Sequence, residues 1–113
     1  MRKDEIIKGI CEALATAEAI TDYAYDHFRR GEAAPLPYAV YRRVAPTSFS
    51  ADDRTYHVGK NVDLEIYASD PDEMAALMVS VEAKLDEAEL FYNITADTVY
   101  IDSENFYESL YEL

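Results

Sequence analysis

The run Val62-Asp63-Leu64-Glu65-Ile66-Tyr67, with Asp70-Pro71 close behind it, constrains this chain more than any other stretch. Apolar and polar residues alternate with period two, the pattern of a strand over residues 61–68 with one dry face and one wet face. Asp70 is a good N-cap, Pro71 suits the first helical position, and Glu73 completes an acidic first turn that complements the helix dipole. Met74, Leu77, Met78, Val81 and Leu85 then recur at helical spacing, which predicts a helix ending near residues 86–89. A one-sided strand running straight into a one-sided helix requires layers, with the helix lying on the dry face of a sheet.

The rest of the chain supplies the other parts of such a sandwich. Ile6, Ile10, Leu14 and Ala17, flanked by Ile7 and Cys11, predict an amphipathic helix over residues 3–19. Residues 22–28 read equally as helix or strand by pattern. Their aromatic and β-branched content favours a short strand. EAAPLP is a loop, and YAVYRRV (38–44) a strand with Tyr38, Val40 and Val44 on one face and Tyr41 and Arg43 on the other. APTSFSADDR (45–54) has the composition of an exposed connection or of the tip of a long hairpin. LFYNIT (90–95) and a tail from Val99 to Leu113, interrupted near residues 102–103, predict the last strands. In that tail Phe106 and Leu110 share one face and Tyr107, Tyr111 and Leu113 the other, so neither face is cleanly polar. A terminal strand with apolar groups on both sides suggests a second protein against it. The expected fold is α+β: two helices packed on one face of a mostly antiparallel twisted sheet with a long hairpin arm. At 113 residues, it forms a single domain over 1–113.

Charge is divided unevenly along the chain. Residues 1–60 carry nine basic and nine acidic side chains, whereas residues 61–113 carry one basic residue, Lys84, and fourteen acidic ones. The acidic half is a poor binder of phosphates, so no specific nucleic-acid binding is expected. A domain with a basic segment (Arg42 to Lys60) and an acidic half is complementary to itself between different patches, and such contacts build rings or filaments. The one cysteine, Cys11, allows no intramolecular disulfide and fits a reducing compartment. The opening MRKDEIIKGICEAL is charged instead of apolar, so no secretory leader is expected. The longest apolar run, Met74 to Val79, is far short of a membrane span.

No motif for catalysis stands out. His27 and His57 have no neighbouring ligand pattern, and Cys11 sits on a helix stripe, so no metal site is expected. The carboxylate pairs Asp52-Asp53, Asp70/Asp72, Glu82/Asp86 and Asp102/Glu104 fall where solvated faces or caps explain them. With three scattered glycines there is no phosphate-cradling loop. The expectation is a protein that is not an enzyme and uses no cofactor. Ten tyrosines fit sheet packing and protein contacts better than base stacking, because most of those other than Tyr38, Tyr41 and Tyr56 lie in the acidic half.

Four runs, LPYAVYRR, FSADDRTYHVGKNVDLEIYASDPDE, LDEAELFYNI and SENFYESLYEL, taken in order, resemble the small tail terminator (tail completion) proteins of long-tailed bacteriophages and prophages. The resemblance covers nearly the whole chain and rests on fold pattern and element order, without a catalytic signature. It implies a virion protein of the phage neck, assembled in the host bacterial cytoplasm. Its subunits would form a homo-oligomeric ring, a hexamer in the family. That ring would cap the tail-tube protein and dock to the head-tail connector. With the charge layout, it implies protein-interface residues Arg42, Arg43, Phe49, Arg54, Tyr56, Lys60, Tyr107 and Tyr111. It also favours a strand at residues 22–28. Two alternatives stand beside it: another neck subunit of head-closure or connector type, and an acidic inhibitor that mimics nucleic acid.

Overall fold

The computed structural model describes residues 2–29, 34–45 and 61–113. Its elements are α1 (Lys3–Thr16), β1 (Asp22–Tyr25), β2 (Tyr38–Arg43), β3 (Val62–Ala68), α2 (Pro71–Glu87), β4 (Asn93–Ile101) and β5 (Phe106–Glu112). The strands form one sheet in the order β1-β2-β3-β5-β4. Pairs β2–β3, β3–β5 and β5–β4 are antiparallel, while β1 runs parallel to β2. The fold is therefore α+β with a mixed sheet and both helices against it. Among the described residues no helix is long and apolar enough to cross a membrane. The expected hairpin arm lies outside the described residues; its base is an antiparallel pair closed by Val44 N–H donating to Asn61 O at 3.0 Å.

The alternation read in β3 holds throughout. Val62, Leu64, Ile66 and Ala68 are buried beneath the helices, and Asp63, Glu65 and Tyr67 face the other way. The α2 stripe is buried as spaced: Met74, Leu77, Met78, Val81 and Leu85. From α1 come Ile7, Ile10, Cys11 and Leu14, and from the flanking strands Ala39, Tyr41 and Tyr111, with Leu113 following β5. Cys11 is wholly buried, and burial first, then the neighbouring Glu12 charge, pushes its thiol up to about 12.

Helix α2 starts as its sequence dictates. Asp70 Oδ1 accepts from Glu73 N–H at 2.8 Å, and the Glu73 carboxylate reaches back to accept from Ser69 N–H at 2.8 Å. Asp70→Ala should lower stability by about 1 kcal/mol, and Asp70→Asn by much less, read as shifts in the urea midpoint.

Both helices stop without glycine. Helix α1 was expected to run to residue 19 and ends at Thr16. Glu18 takes a left-handed conformation (φ 64°), Ala19 N–H donates to Leu14 O at 2.9 Å, and Glu18 N–H donates to Ala15 O at 3.0 Å. Glu89 does the same after α2 (φ 59°), with Leu90 N–H on Leu85 O and Glu89 N–H on Asp86 O, both at 3.0 Å. These are Schellman closures. The half-buried Ala19, with the buried Ile20 after it, and the half-buried Leu90 follow the two glutamates, and their packing holds the glutamates in a conformation that glycine adopts more readily.

The C-terminal strands differ from expectation in one respect. In place of a strand over 90–95 and a restart near 99, β4 is a single edge strand of nine residues. The expected gap is a local irregularity in which the register with β5 shifts twice, around Ala96, and Thr98 has a φ of 55°. There the buried Ser109 hydroxyl accepts from Thr98 N–H at 2.8 Å and replaces the missing ladder bond. The expected break near residues 102–103 is the turn between β4 and β5.

Candidate protein-interaction surface

The face of the sheet turned away from the helices carries the densest polar chemistry among the described residues. Register fixes its rows: Arg42, Asp63 and Glu112 lie side by side across β2, β3 and β5, then Val40, Glu65 and Leu110, then Tyr38, Tyr67 and Glu108. Phe106 sits beyond the last row. Tyr38, Tyr67 and Phe106 form an aromatic floor with centroids 5.0–6.4 Å apart, and Phe28 stacks edge-on against Tyr38 at 5.1 Å. Together with Asp26, Arg42 and Glu65 these rings line a shallow cavity of about 410 Å3.

Arg42 holds the centre. Its Nη1 and Nη2 each donate to Glu65 at 3.0 Å, a two-pronged pair, and Nε donates to Asp26 Oδ1 at 3.2 Å. The guanidinium is held firmly protonated, first by the bond to Glu65. Asp26 is held below the ordinary carboxylate range, first by its hydrogen bond with His27 and then by Arg42. Tyr67 Oη donates to Glu65 at 2.9 Å, and a Glu108 oxygen lies 3.3 Å from the same hydroxyl.

One guanidinium does not balance this face. Asp63 stands opposite Glu112, like charge against like charge. Asp63 is raised by burial and then by Glu112 and Glu65. Glu108 is raised by burial and then by Glu65, with Tyr67 and Arg42 opposing. Among the described residues, no His, Cys, Asp and Glu side chains group in threes or more to hold a metal ion.

The sheet's two edges carry the exposed apolar groups. Six large hydrophobic side chains are exposed among the described residues, and five lie on or beside an edge strand. Phe91 (88%) precedes β4; Ile94 (41%), Val99 (43%) and Tyr100 (46%) lie on it; Tyr25 (49%) lies on β1 at the opposite edge. The sixth, Val79, is on α2. Along its nine residues β4 has one charge, Asp97, and neither lysine nor proline, the usual guards of an exposed edge.

The sequence-predicted interface residues fall into three groups. Arg42 is a half-buried keystone of the open face and Arg43 is exposed at the end of β2, where its N–H donates to Tyr25 Oη at 3.2 Å. Phe49, Arg54, Tyr56 and Lys60 lie outside the described residues. Tyr111 needs correction as a surface group, because it points to the helix side of β5, where Tyr107 also lies. Tyr111 is fully buried in the core and its hydroxyl donates to Glu82 at 2.8 Å. Tyr107 is half-buried against Tyr100, with ring centroids 5.1 Å apart. The core needs the large ring of Tyr111, and Glu82 satisfies its hydroxyl, so burial is not opposed by an unpaired polar atom. The groups missed were Phe91, Ile94, Val99 and Tyr100. The low charge of NITADTVYI was the available signal.

No family model matches the chain, and no curated protein matches it. Among solved structures, that of the bacteriophage SPP1 gp17 protein is similar to it at 15% identity, covering 96% of this chain and 88% of that one, with a TM-score of 0.47. A likeness this distant assigns no role.

Proposed function

We propose that this protein is a structural subunit of the neck of a long-tailed bacteriophage, a tail terminator that forms a ring, caps the tail tube and docks to the head connector. The observation that carries the reading is the resemblance of four successive runs to that family. Their described parts fall in order on β2, on β3 with the start of α2, on the α2–β4 turn and on β5. The apolar groups exposed on the edge strands add to it, since such groups among the described residues suit a protein that functions in contact with others. The net charge of −13 is also suited to a ring through which DNA passes without sticking.

Light scattering over a wide concentration range, with negative-stain imaging, tests the assembly. The expected species is a closed ring of about six copies of the 12.8 kDa chain. Added to polymerising phage tail-tube protein, the ring should shorten the tubes and decorate one end. Tubes of unchanged length with bare ends would count against the reading. The carboxylates of the open face, Asp63, Glu65, Glu108 and Glu112, favour one second reading, an acidic inhibitor that occupies a basic groove. A strict monomer with salt-sensitive affinity for a nucleic-acid enzyme would select it.

A further inference from the structure

We infer that copies of this chain join edge to edge, with the β4 edge of one subunit against the β1 edge of the next. The inference rests on the reading of the protein as a self-assembling subunit and names the surfaces that assemble. Three observations converge on it.

The first is the sheet order. Strands β1 and β4 are the two ends of the sheet, each with one hydrogen-bonded strand neighbour among the described residues. Among the described residues no further strand pairs with their outer backbone groups, the side on which a strand of another copy would add. The second is where the exposed apolar side chains lie. Phe91, Ile94, Val99 and Tyr100 line one end and Tyr25 the other, while the helix layer contributes only Val79 among the large ones.

The third is charge, and it decides which edge meets which. The uneven charge of the sequence becomes a gradient across the sheet, because β1 and β2 come from the neutral half and β3, β5 and β4 from the acidic half. Residues 85–113, which build the β4 side, hold eight acidic residues and no basic one. The β1 side is more balanced: Asp22 is exposed on β1, while Arg29 after it and Arg43 at the end of β2 are exposed and make no ion pair with another described residue. Two β4 edges would bring acid against acid, and two β1 edges would share only four residues each. Pairing β4 with β1 sets the acidic end of the sheet against the end that holds Arg29 and Arg43, and apolar beside apolar. Such a contact is heterologous, so it repeats from copy to copy and closes as a ring or runs on as a filament.

Two variants test the inference. Ile94→Glu blocks the β4 edge and Tyr25→Glu blocks the β1 edge, with far-UV circular dichroism confirming the fold. Ile94→Ser and Tyr25→Ser are the milder pair should either glutamate unfold the chain. By sedimentation equilibrium each variant alone should self-associate at least about tenfold more weakly than the wild type. Mixed in equal amounts they should form one-to-one dimers and nothing larger, because one competent pair of edges remains. If Tyr25→Glu assembles like the wild type while Ile94→Glu does not, β4 pairs with itself and the inference fails. If both assemble like the wild type, the edges are not used, yet self-assembly stands. A wild type that stays monomeric overturns edge pairing outright and leaves the tail-tube experiment to decide the function separately.

Discussion

Leu64→Ala is expected to cost about 3–4 kcal/mol, a large share of the roughly 5–15 kcal/mol that holds a domain of this size together. Leu64 is fully buried on the central strand, and register places it between Tyr41 of β2 and Tyr111 of β5. It is the spacer in a row with two aromatic rings and lies under the helix layer. Truncation leaves a cavity that the rings are badly placed to fill, because Tyr111 is tied to Glu82 on α2 and Tyr41 packs edge-on against Tyr25 at 5.2 Å. Urea unfolding should show a lower midpoint at an unchanged slope. A loss below about 1 kcal/mol would mean that the row collapses freely and that the two tyrosines are not anchored as described.

Arg42→Met is expected to cost about 2–3 kcal/mol near neutral pH, counting only the bond to Glu65. The side chains of this pair are 27% and 15% exposed, so removing the cation leaves a poorly solvated carboxylate with Asp63 and Glu108 nearby. The cost should shrink on acidification. Asp63 and Glu108 hold their protons more tightly in the folded protein than in the unfolded chain. Their contribution is complete below the ordinary carboxylate range and is lost as pH rises through their raised folded values. Arg42 opposes that rise in both groups, so its removal widens it. Asp26 works in the same direction: its depressed value gives the wild type stability that disappears as pH falls through it, and the variant has less of this to lose. Chemical unfolding at about pH 4 and pH 7 should therefore show a smaller difference at the lower pH. An equal difference at both would make Arg42 a packing group instead of a charge compensator.

The sequence was most informative where one physical signal acts alone. Alternation in Val62–Tyr67 and the Asp70-Pro71 start predicted β3 and α2 because burial on one face and a satisfied N-terminus are local demands. The helix ends were harder to place. Both stop on a left-handed glutamate, and the signal was the following Ile20 or Leu90, not a glycine. Strand β4 was divided in two because Ala96–Thr98 lacks a clean period. Its continuity depends on Ser109 of the neighbouring strand, a contact beyond any local window. The parallel placement of β1 is likewise a tertiary outcome, fixed by Thr21 N–H donating to Pro37 O at 2.8 Å and Asp26 N–H donating to Tyr41 O at 2.7 Å. On the sheet's open face, the sequence marks Arg42 as a charged group on β2. It assigned Tyr111 outward because both faces of β5 are apolar, and only the position of α2 shows which is covered.

The sealed thiol of Cys11 makes the molecule its own clock. A side chain with no solvent contact and a thiolate form suppressed by burial cannot react with an alkylating reagent while the helices stay on the sheet. Modification then proceeds only through openings of the core, so its rate counts how often α1 lifts away. Since Cys11 lies in the helix layer and the two edges lie elsewhere, comparing that rate at low and high protein concentration would separate tightening of the whole domain from the proposed joining of subunits.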